Sequence, residues 1–265
     1  PFKDALFAYP RTLAMSDSGR HVTVDYQAPR DIRQRDEIAE RRVKQDYVDL
    51  APRRLQQELM ITTDVAKIPH ITVGQAANAR FIVVYLYGQG GNRSQGMNDF
   101  TFGGNFNRIK NLAVRNGGLY LTTDFSDFGK AGASQVASLI AHYAAASPNA
   151  PVYVACGSMG GAICWQLANN ATVAPRLGGL LLLGSHWEDQ FLSSRAFARR
   201  VPVYFGHGSA DRVFPVDQQE RFFRSILRKV PDYPARFVRF ETGSHGTPIR
   251  MTDWRATLNW MSSAR

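Results

Sequence analysis

The sequence predicts an α/β fold in which a mostly parallel central sheet is covered by helices on both faces. Apolar runs such as RFIVVYLY (80–87) and GGLLLLG (178–184) are continuous, which is typical of strands buried on both sides. They alternate along the chain with segments of helix length. The 265 residues, 44% of them hydrophobic, suffice for one large core. We therefore expect a single domain over residues 1–265, with its core at 80–262.

Residues 1–60 are expected to extend this core at its N-terminal side. ALFAYP (5–10) and HVTVDYQ (21–27) are predicted to form a hairpin, because strand-like runs flank the turn residues SDSG. The charged stretch from about Asp31 to Leu50 is predicted to be a helix. Its charges alternate in sign, as on a solvated helix face.

From residue 80 onwards we expect strands and helices to alternate. After the strand at 80–87 and the loop GQGGN come a helix near 105–115, a strand at 118–123, a helix at 131–146, a strand at 151–156, a helix at 159–169, strands at 178–184 and 201–207, a helix at 216–229, a strand at 235–241 and a helix at 252–262. Only residues 185–200 separate two of these strands, which is too little chain for a large helical lid.

The composition narrows the class of function. The net charge is +10, concentrated partly in residues 30–45, 51–55 and 195–200. This charge favours an acidic partner, although the first cluster alternates in sign as exposed helices do. Neither zinc-ligand spacing nor a nucleic-acid-binding signature is present, so the sequence predicts no metal, no cofactor and no nucleic-acid partner. No apolar run reaches the roughly 18 residues of a membrane helix.

The start of the chain and its two cysteines bear on the cellular compartment of the protein. The sequence begins at Pro1 without Met and without an apolar secretory segment, which leaves a cytoplasmic and an exported, processed protein both open. Cys156 and Cys164 are predicted to lie on a strand end and on the following helix, and we expect them to be free, packed thiols. The oligomeric state stays open.

One segment, VYVACGSMGGAICWQ (152–166), passes from a predicted strand to a predicted helix through small residues. A serine on such a bend presents its hydroxyl above the sheet edge, and the strained backbone there needs small neighbours. Ser158 has them, although an ordinary Gly-rich turn would look similar. Two later loops favour a catalytic role: HGSADRVFP (207–215) places Asp211 after a strand, and GSHGTP (243–248) places His245 after the next.

Through CGSMGG, HGSADRVFP and GSHG, the chain from about residue 80 to 260 resembles the serine hydrolases of the α/β-hydrolase fold, esterases in particular. The resemblance implies that Ser158 is the nucleophile, His245 the base and Asp211 the acid. Cys156 stands where the family's G-x-S-x-G motif has its first glycine. Some members take the acid from the preceding loop, where Glu188 and Asp189 stand.

The resemblance also implies an oxyanion hole and a substrate pocket. The stretch YLYGQGGN implies the backbone amide of Gln89 as one oxyanion donor, with Gly90 as a substitute, and the amide of Met159 as the second. His207 is expected to be structural, since one imidazole suffices. Aromatic residues in loops after strands are candidates for the pocket walls or, equally, for loop packing: Phe100, Phe102, His186 and Trp187.

Three functions remain open on these grounds. The first is hydrolysis of carboxylic esters, with short acyl groups on small or polymer-borne substrates that include anionic ones. The second is a serine peptidase or acyltransferase with the same triad. A non-catalytic binding protein on this fold is least favoured, because no triad member is lacking.

Overall fold

The computed structural model describes residues 4–264 and builds them around one large sheet. In chain order the strands are β1 (Thr12–Ser16), β2 (His21–Val24), β3 (Asp36–Ile38), β4 (Arg42–Val43), β5 (Gln56–Thr62), β6 (Lys67–Gly74), β7 (Ile82–Leu86), β8 (Leu119–Thr123), β9 (Val152–Gly157), β10 (Leu177–Leu183), β11 (Val203–Gly208) and β12 (Ala235–Phe240). Within the described residues the sheet has 10 strands in the order β1-β2-β12-β11-β10-β9-β7-β8-β6-β5, and β3 pairs with β4 apart from it. The stretch from β2 to β8 in this order is parallel, while β1, β6 and β5 run antiparallel to their neighbours.

Helices cover both faces of the sheet. They are α1 (Asn105–Arg115), α2 (Lys130–Ala146), α3 (Gly161–Asn169), α4 (Arg195–Ala198), α5 (Val216–Lys229), α6 (Thr247–Met251) and α7 (Trp254–Ser263). Val84 and Leu182 face the core under α2, α3 and α5, whereas Val83 and Leu183 face the core under α1 and α7. Because successive side chains of a strand point to opposite faces, a strand buried on both sides must be apolar throughout.

The predicted α/β class with a mostly parallel sheet is confirmed. From residue 80 onwards every predicted strand and helix is present, with small shifts at the ends, and α4 and α6 are additional short helices. Residues 185–200 hold a 3-10 turn (Asp189–Ser193) and the four-residue helix α4, so the connection after β10 carries no large lid. Within residues 4–264, no helix combines the length and the apolar character that crossing a membrane requires.

The N-terminal hairpin forms, but the predicted position of its first strand is wrong. β1 covers Thr12–Ser16 rather than 5–10, and the turn is the 3-10 segment Asp17–Gly19. β1 pairs with β2, and β2 pairs in parallel with β12. The hairpin therefore extends one edge of the main sheet, while Phe7 of the predicted first strand is buried beside the Tyr47 ring.

The predicted helix from Asp31 to Leu50 is also wrong. The segment is made of a π-helical turn (Pro29–Arg33), β3, β4 and a 3-10 turn (Gln45–Tyr47). Several of its charges are buried by tertiary partners instead of facing solvent. Asp36 forms a buried ion pair with Arg250 of α6, and the buried Arg35 guanidinium lies 4.6 Å from the centroid of the Tyr47 ring. The charges that resemble those of a solvated helix face therefore include residues that are buried by tertiary contacts.

Candidate active site

Ser158 lies on the sharp bend between β9 and α3. Its backbone has a φ of 52°, in the left-handed region that is strained for a residue with a side chain. Two hydrogen bonds to the Ser158 carbonyl oxygen hold the bend, from the Ser185 hydroxyl at 2.8 Å and from the His186 amide at 3.0 Å. The loop after β10 packs so closely that a Cβ on Gly161 would lie 2.3 Å from the Ser185 Oγ. The small residues around Ser158 are therefore a packing requirement.

Three side chains from three loops meet at the carboxyl ends of the parallel strands. In the loop after β12, His245 has its Nε2 2.9 Å from the Ser158 Oγ and its Nδ1 2.8 Å from the Asp211 Oδ2. The Asp211 side chain, in the loop after β11, is fully buried, while Ser158 and His245 are half-buried. The fold thus joins the three predicted residues in one hydrogen-bonded chain that solvent reaches at its serine end.

Asp211 is held as a carboxylate. Its Oδ1 accepts hydrogen bonds from the amides of Val213 at 2.8 Å and Phe214 at 3.1 Å. Burial by itself raises the pKa of Asp211, but the hydrogen bond to His245 and these two amides outweigh burial and leave the pKa below its usual value. An ionised carboxylate only accepts hydrogen bonds, so the proton of a neutral His245 stays on Nδ1 and Nε2 faces Ser158 as an acceptor.

His207 contacts the same carboxylate. Its fully buried ring has Nε2 2.7 Å from the Phe214 carbonyl oxygen and 3.3 Å from the Asp211 Oδ2. Burial is the main cause that lowers the pKa of His207, which keeps the ring neutral. A neutral His207 ring donates a hydrogen bond from Nε2 to the Phe214 carbonyl oxygen and so stabilises the loop at 211–214. This contact agrees with the structural role expected for His207.

Two backbone amides are candidates for the predicted oxyanion hole. A Cβ on Gly88, in the loop after β7, would lie 2.6 Å from the Ser158 Cβ and 3.1 Å from its Oγ. This close approach brings the next residue, Gln89, to the site, and Met159 directly follows the serine. In the described part of the chain, neither the Gln89 nor the Met159 amide donates a hydrogen bond to another residue. Gly90 is exposed at the next position of the same loop.

Neither alternative acid bonds to His245. The Glu188 Oε1 lies 2.8 Å from the Nε2 of His186. Asp189 is exposed, at the first position of the 3-10 turn Asp189–Ser193. The geometry therefore favours Asp211 as the partner of His245.

Aromatic side chains lie beside His245. The Phe214 ring centroid is 5.8 Å from that of His245 and 6.0 Å from that of His186, and Trp187 lies 6.3 Å from Phe214. His186 and Trp187, two of the predicted wall residues, are thus near the site. Sequence reasoning missed Phe214, although its place in the same loop as Asp211 was a usable signal.

The other two predicted wall residues, Phe102 and Phe100, lie in different parts of the structure. A Cβ on Gly246, next to His245, would lie 3.5 Å from the Phe102 ring, so Phe102 borders the site. Phe100 lies beneath the Arg42 guanidinium, 3.7 Å from ring centroid to guanidinium carbon, and lines a different surface depression together with Arg53. Phe100 is therefore not grouped with the triad.

The expectation that Cys156 and Cys164 are free thiols is wrong, because they form a disulfide. Their Cα atoms are 6.4 Å apart, within the range that such a bond spans. The bridge joins the end of β9 to α3 and encloses Ser158. The sequence could not indicate this pairing, since the direction in which α3 leaves the bend is decided by its packing on the sheet.

No model of a protein family matches this sequence, and no curated protein is detectably similar to it. Solved structures are similar in fold. A predicted CIB-like hydrolase from Thermoplasma acidophilum is 16% identical with a TM-score of 0.57, over 78% of this chain and 98% of the other. An α/β serine hydrolase homologue from Coxiella burnetii is 15% identical with a TM-score of 0.53, over 78% and 96%.

An esterase from Thermogutta terrifontis, esterase 2 in its apo form, is 14% identical with a TM-score of 0.52, over 76% of this chain and 91% of the other. At such identities the likeness concerns the fold alone. Together with the strand order and the position of the Ser158 bend, it shows that the chain has the α/β-hydrolase fold, as the sequence motifs predicted.

Proposed function

We propose that this protein is a serine hydrolase that cleaves carboxylic esters through an acyl-enzyme. The observation that carries the proposal is the hydrogen-bonded chain from Ser158 through His245 to Asp211, with donor–acceptor distances of 2.9 and 2.8 Å. A chain of this kind makes a weakly acidic hydroxyl a nucleophile at neutral pH. The fold it shares with solved esterases supports the same reaction class.

In the first half of the reaction, the Ser158 Oγ attacks the ester carbonyl carbon while the His245 Nε2 takes the hydroxyl proton. The resulting imidazolium is stabilised by the Asp211 carboxylate, and the oxyanion by the amides of Gln89 and Met159. Collapse of the tetrahedral intermediate breaks the bond to the alcohol oxygen, which receives the proton from His245. The acyl group then remains on Ser158.

In the second half, water enters and the same groups act in the same order. His245 removes a proton from the water as its oxygen attacks the acyl carbon, and then returns that proton to the Ser158 Oγ as the acid leaves. Losing one oxyanion donor raises such a barrier by about 3 to 4 kcal/mol, so the two amides contribute strongly to the rate.

Short acyl groups fit the surroundings of the site best. The connection after β10 is too short to form a broad mobile cover, and the half-buried Trp187 and Phe214 crowd the space beside His245. Lipases of long-chain fats need a large apolar pocket, which is commonly hidden beneath such a cover. We therefore propose esters of small acids such as acetate, on small or polymer-borne alcohols.

The test combines covalent labelling with an ester panel. A fluorophosphonate probe is expected to label Ser158 of the wild-type protein, identified by peptide mass spectrometry, and to leave Ser158→Ala unlabelled. The variant should lose several orders of magnitude in ester turnover while it stays folded. An esterase of similar fold has been seen phosphorylated by paraoxon, which makes organophosphorus probes a reasonable choice.

The ester panel spans acyl chain lengths below and above the solubility limit of the substrate. We expect acetate turnover without a rate increase at the lipid–water interface. Failure of folded wild type to react with the probe would refute the serine mechanism. Negligible acetate turnover together with activation by long-chain emulsions would refute the short-acyl assignment alone.

A further inference from the structure

A surface depression of about 630 Å³ lies apart from the catalytic triad, and three arginines line it. Its walls are the β3–β4 hairpin, the 3-10 turn Ala51–Leu55 with the start of β5, and the loop after β7. The Phe100 carbonyl oxygen accepts a hydrogen bond from the Val43 amide at 2.9 Å, which joins the hairpin to this loop. The volume is in the range of small-molecule sites.

The carboxylate of the depression does not neutralise its arginines. In the described part of the chain, Asp99 supplies the one carboxylate of the lining, and its side chain is 3% exposed. Its Oδ1 lies 2.7 Å from the Nζ of the fully buried Lys110, and its Oδ2 accepts a hydrogen bond from the Arg53 Nε at 2.8 Å. One carboxylate thus faces two cations, so one positive charge is left over where Arg53 reaches solvent.

Two of the arginines are held in place with their terminal nitrogens unused. Arg53 is bonded to Asp99 through Nε, and its side chain is 55% exposed. Arg42 donates from Nε to the Glu37 Oε2 at 3.0 Å, and its guanidinium carbon lies 3.7 Å from the centroid of the Phe100 ring. Within residues 4–264, the terminal nitrogens of both guanidinium groups donate no hydrogen bond. Both groups are therefore oriented before a ligand arrives.

The other polar groups of the lining add donors. Arg41 is exposed, and among the described residues its guanidinium has neither a hydrogen-bond nor an ion-pair partner. The Asn98 Oδ1 accepts hydrogen bonds from the amides of Phe100 at 2.9 Å and Thr101 at 3.1 Å, which leaves its Nδ2 as a donor. The pair of Arg42 with Glu37 is exposed, and such surface pairs contribute little stability. It does not prevent Arg42 from binding an anion.

These features select one class of ligand. The fork of a guanidinium group matches the two oxygens of a carboxylate or phosphate, and charged partners make these hydrogen bonds strong. A depression lined by one sign of charge raises the local concentration of ligands of the opposite sign. A lipid chain would need an apolar lining, and a metal ion would meet three arginines. A single anionic group can use one fork, so three arginines favour a ligand with several such groups.

We infer that this depression binds a small polyvalent oxyanion, a molecule that carries two or more carboxylate or phosphate groups. The inference goes beyond the proposed esterase activity and does not depend on it, because neither a triad residue nor an oxyanion donor belongs to the lining.

The test is calorimetry with citrate, tripolyphosphate and, as the monovalent reference, acetate. Measurement at about 0.15 M ionic strength screens exposed charges beyond about 8 Å. We expect citrate or tripolyphosphate to saturate one site per chain. Acetate should bind at least about tenfold more weakly than the better of the two, because it loses the charge-assisted hydrogen bonds of the other forks.

Two variants and a matched control locate the site. Arg53→Gln and Arg41→Gln should each raise the Kd of the polyvalent anion by about tenfold, since each removes hydrogen bonds between charged groups. Arg54→Gln removes the same charge from the same 3-10 turn but lies outside the lining, and should change the Kd by less than about twofold. Thermal unfolding verifies that the variants are folded. Arg41 bonds to no other side chain, so Arg41→Gln serves if Arg53→Gln is unstable.

Tighter binding of citrate would support a ligand with carboxylate groups, and tighter binding of tripolyphosphate one with phosphate groups. A Kd weaker than about 1 mM for both would refute the site. Equal weakening by Arg54→Gln and by the two lining variants would also refute it, because the overall positive charge would then attract the anion. Labelling of Ser158 by the fluorophosphonate probe tests the esterase proposal separately, so that either proposal can fail alone.

Discussion

Replacing Asp211 by Asn should abolish most of the activity without unfolding the protein, and the structure shows why. The amides of Val213 and Phe214 both donate to the Asp211 Oδ1. In the variant these donors hold the oxygen of the new side-chain amide on their side, because the reversed orientation would set an NH₂ group against two N–H groups. The NH₂ group must then face the His245 Nδ1.

This arrangement reverses the tautomer of His245. With a donor opposite Nδ1, the ring proton moves to Nε2, which then points a hydrogen at the Ser158 Oγ and cannot accept its proton. Serine hydrolases with the same substitution lose about 10⁴-fold in kcat, or about 5.4 kcal/mol of transition-state stabilisation. KM should change little, because Asp211 is buried behind His245 and does not contact substrate.

The assay is the steady-state turnover of a short-chain ester near neutral pH, with thermal unfolding to verify that the variant is folded. Asp189→Asn is the matched control, since it removes a carboxylate from the neighbouring loop that is exposed rather than bonded to His245. A loss below about tenfold for Asp211→Asn, or an equal loss for Asp189→Asn, would refute the assignment of the acid.

Three further outcomes follow from the contacts described above. Gly88→Ala should lower kcat by at least about 100-fold with an unchanged circular dichroism spectrum, because the new Cβ would lie 2.6 Å from the Ser158 Cβ; full activity would contradict the close approach. Reduction of the Cys156–Cys164 bridge, which spans a sequence separation of 8, should lower the free energy of unfolding in urea by about 2.5 kcal/mol, and reductant should leave a double Ala variant unaffected. Burial lowers the pKa of His70 in the folded protein. As pH falls below about 6.5, His70 therefore takes up a proton in the unfolded chain more readily than in the folded protein. The free energy of unfolding should decrease there by at most about 1.4 kcal/mol per pH unit because of this residue. His70→Gln should flatten the stability profile between pH 7 and 5 in calorimetry, and an unchanged slope would show that other groups cause the decline.

The central part of the fold could be predicted because its signals are local. β7, β9 and β10 are continuous apolar runs, and the amphipathic or apolar segments between strands have helix length. Parallel strands joined by helices place their carboxyl ends along one edge. Because Ser158, Asp211 and His245 each follow a strand, the sequence predicted that all three lie along this edge.

The N-terminal part could not be predicted in the same way. Residues 31–50 have the charge pattern of an exposed helix, but Asp36 is buried against Arg250, which is far away in sequence. β5 and β6 form a hairpin that adds to the sheet through an antiparallel pairing with β8. In both cases the conformation depends on a partner that no local pattern specifies.

The sequence by itself determined the fold class, the strand-to-helix bend at Ser158 and the position of His245 in a loop after a strand, because hydrophobic periodicity and small residues act over a few neighbouring positions. The tertiary structure alone decided that Asp211 rather than Glu188 or Asp189 bonds to His245, that Cys156 and Cys164 are joined, and that Phe214 lies beside the site while Phe100 does not. Each of these depends on the direction in which a loop leaves the sheet. That direction is set by packing between segments distant in the chain, over distances of a few ångströms that sequence spacing does not encode.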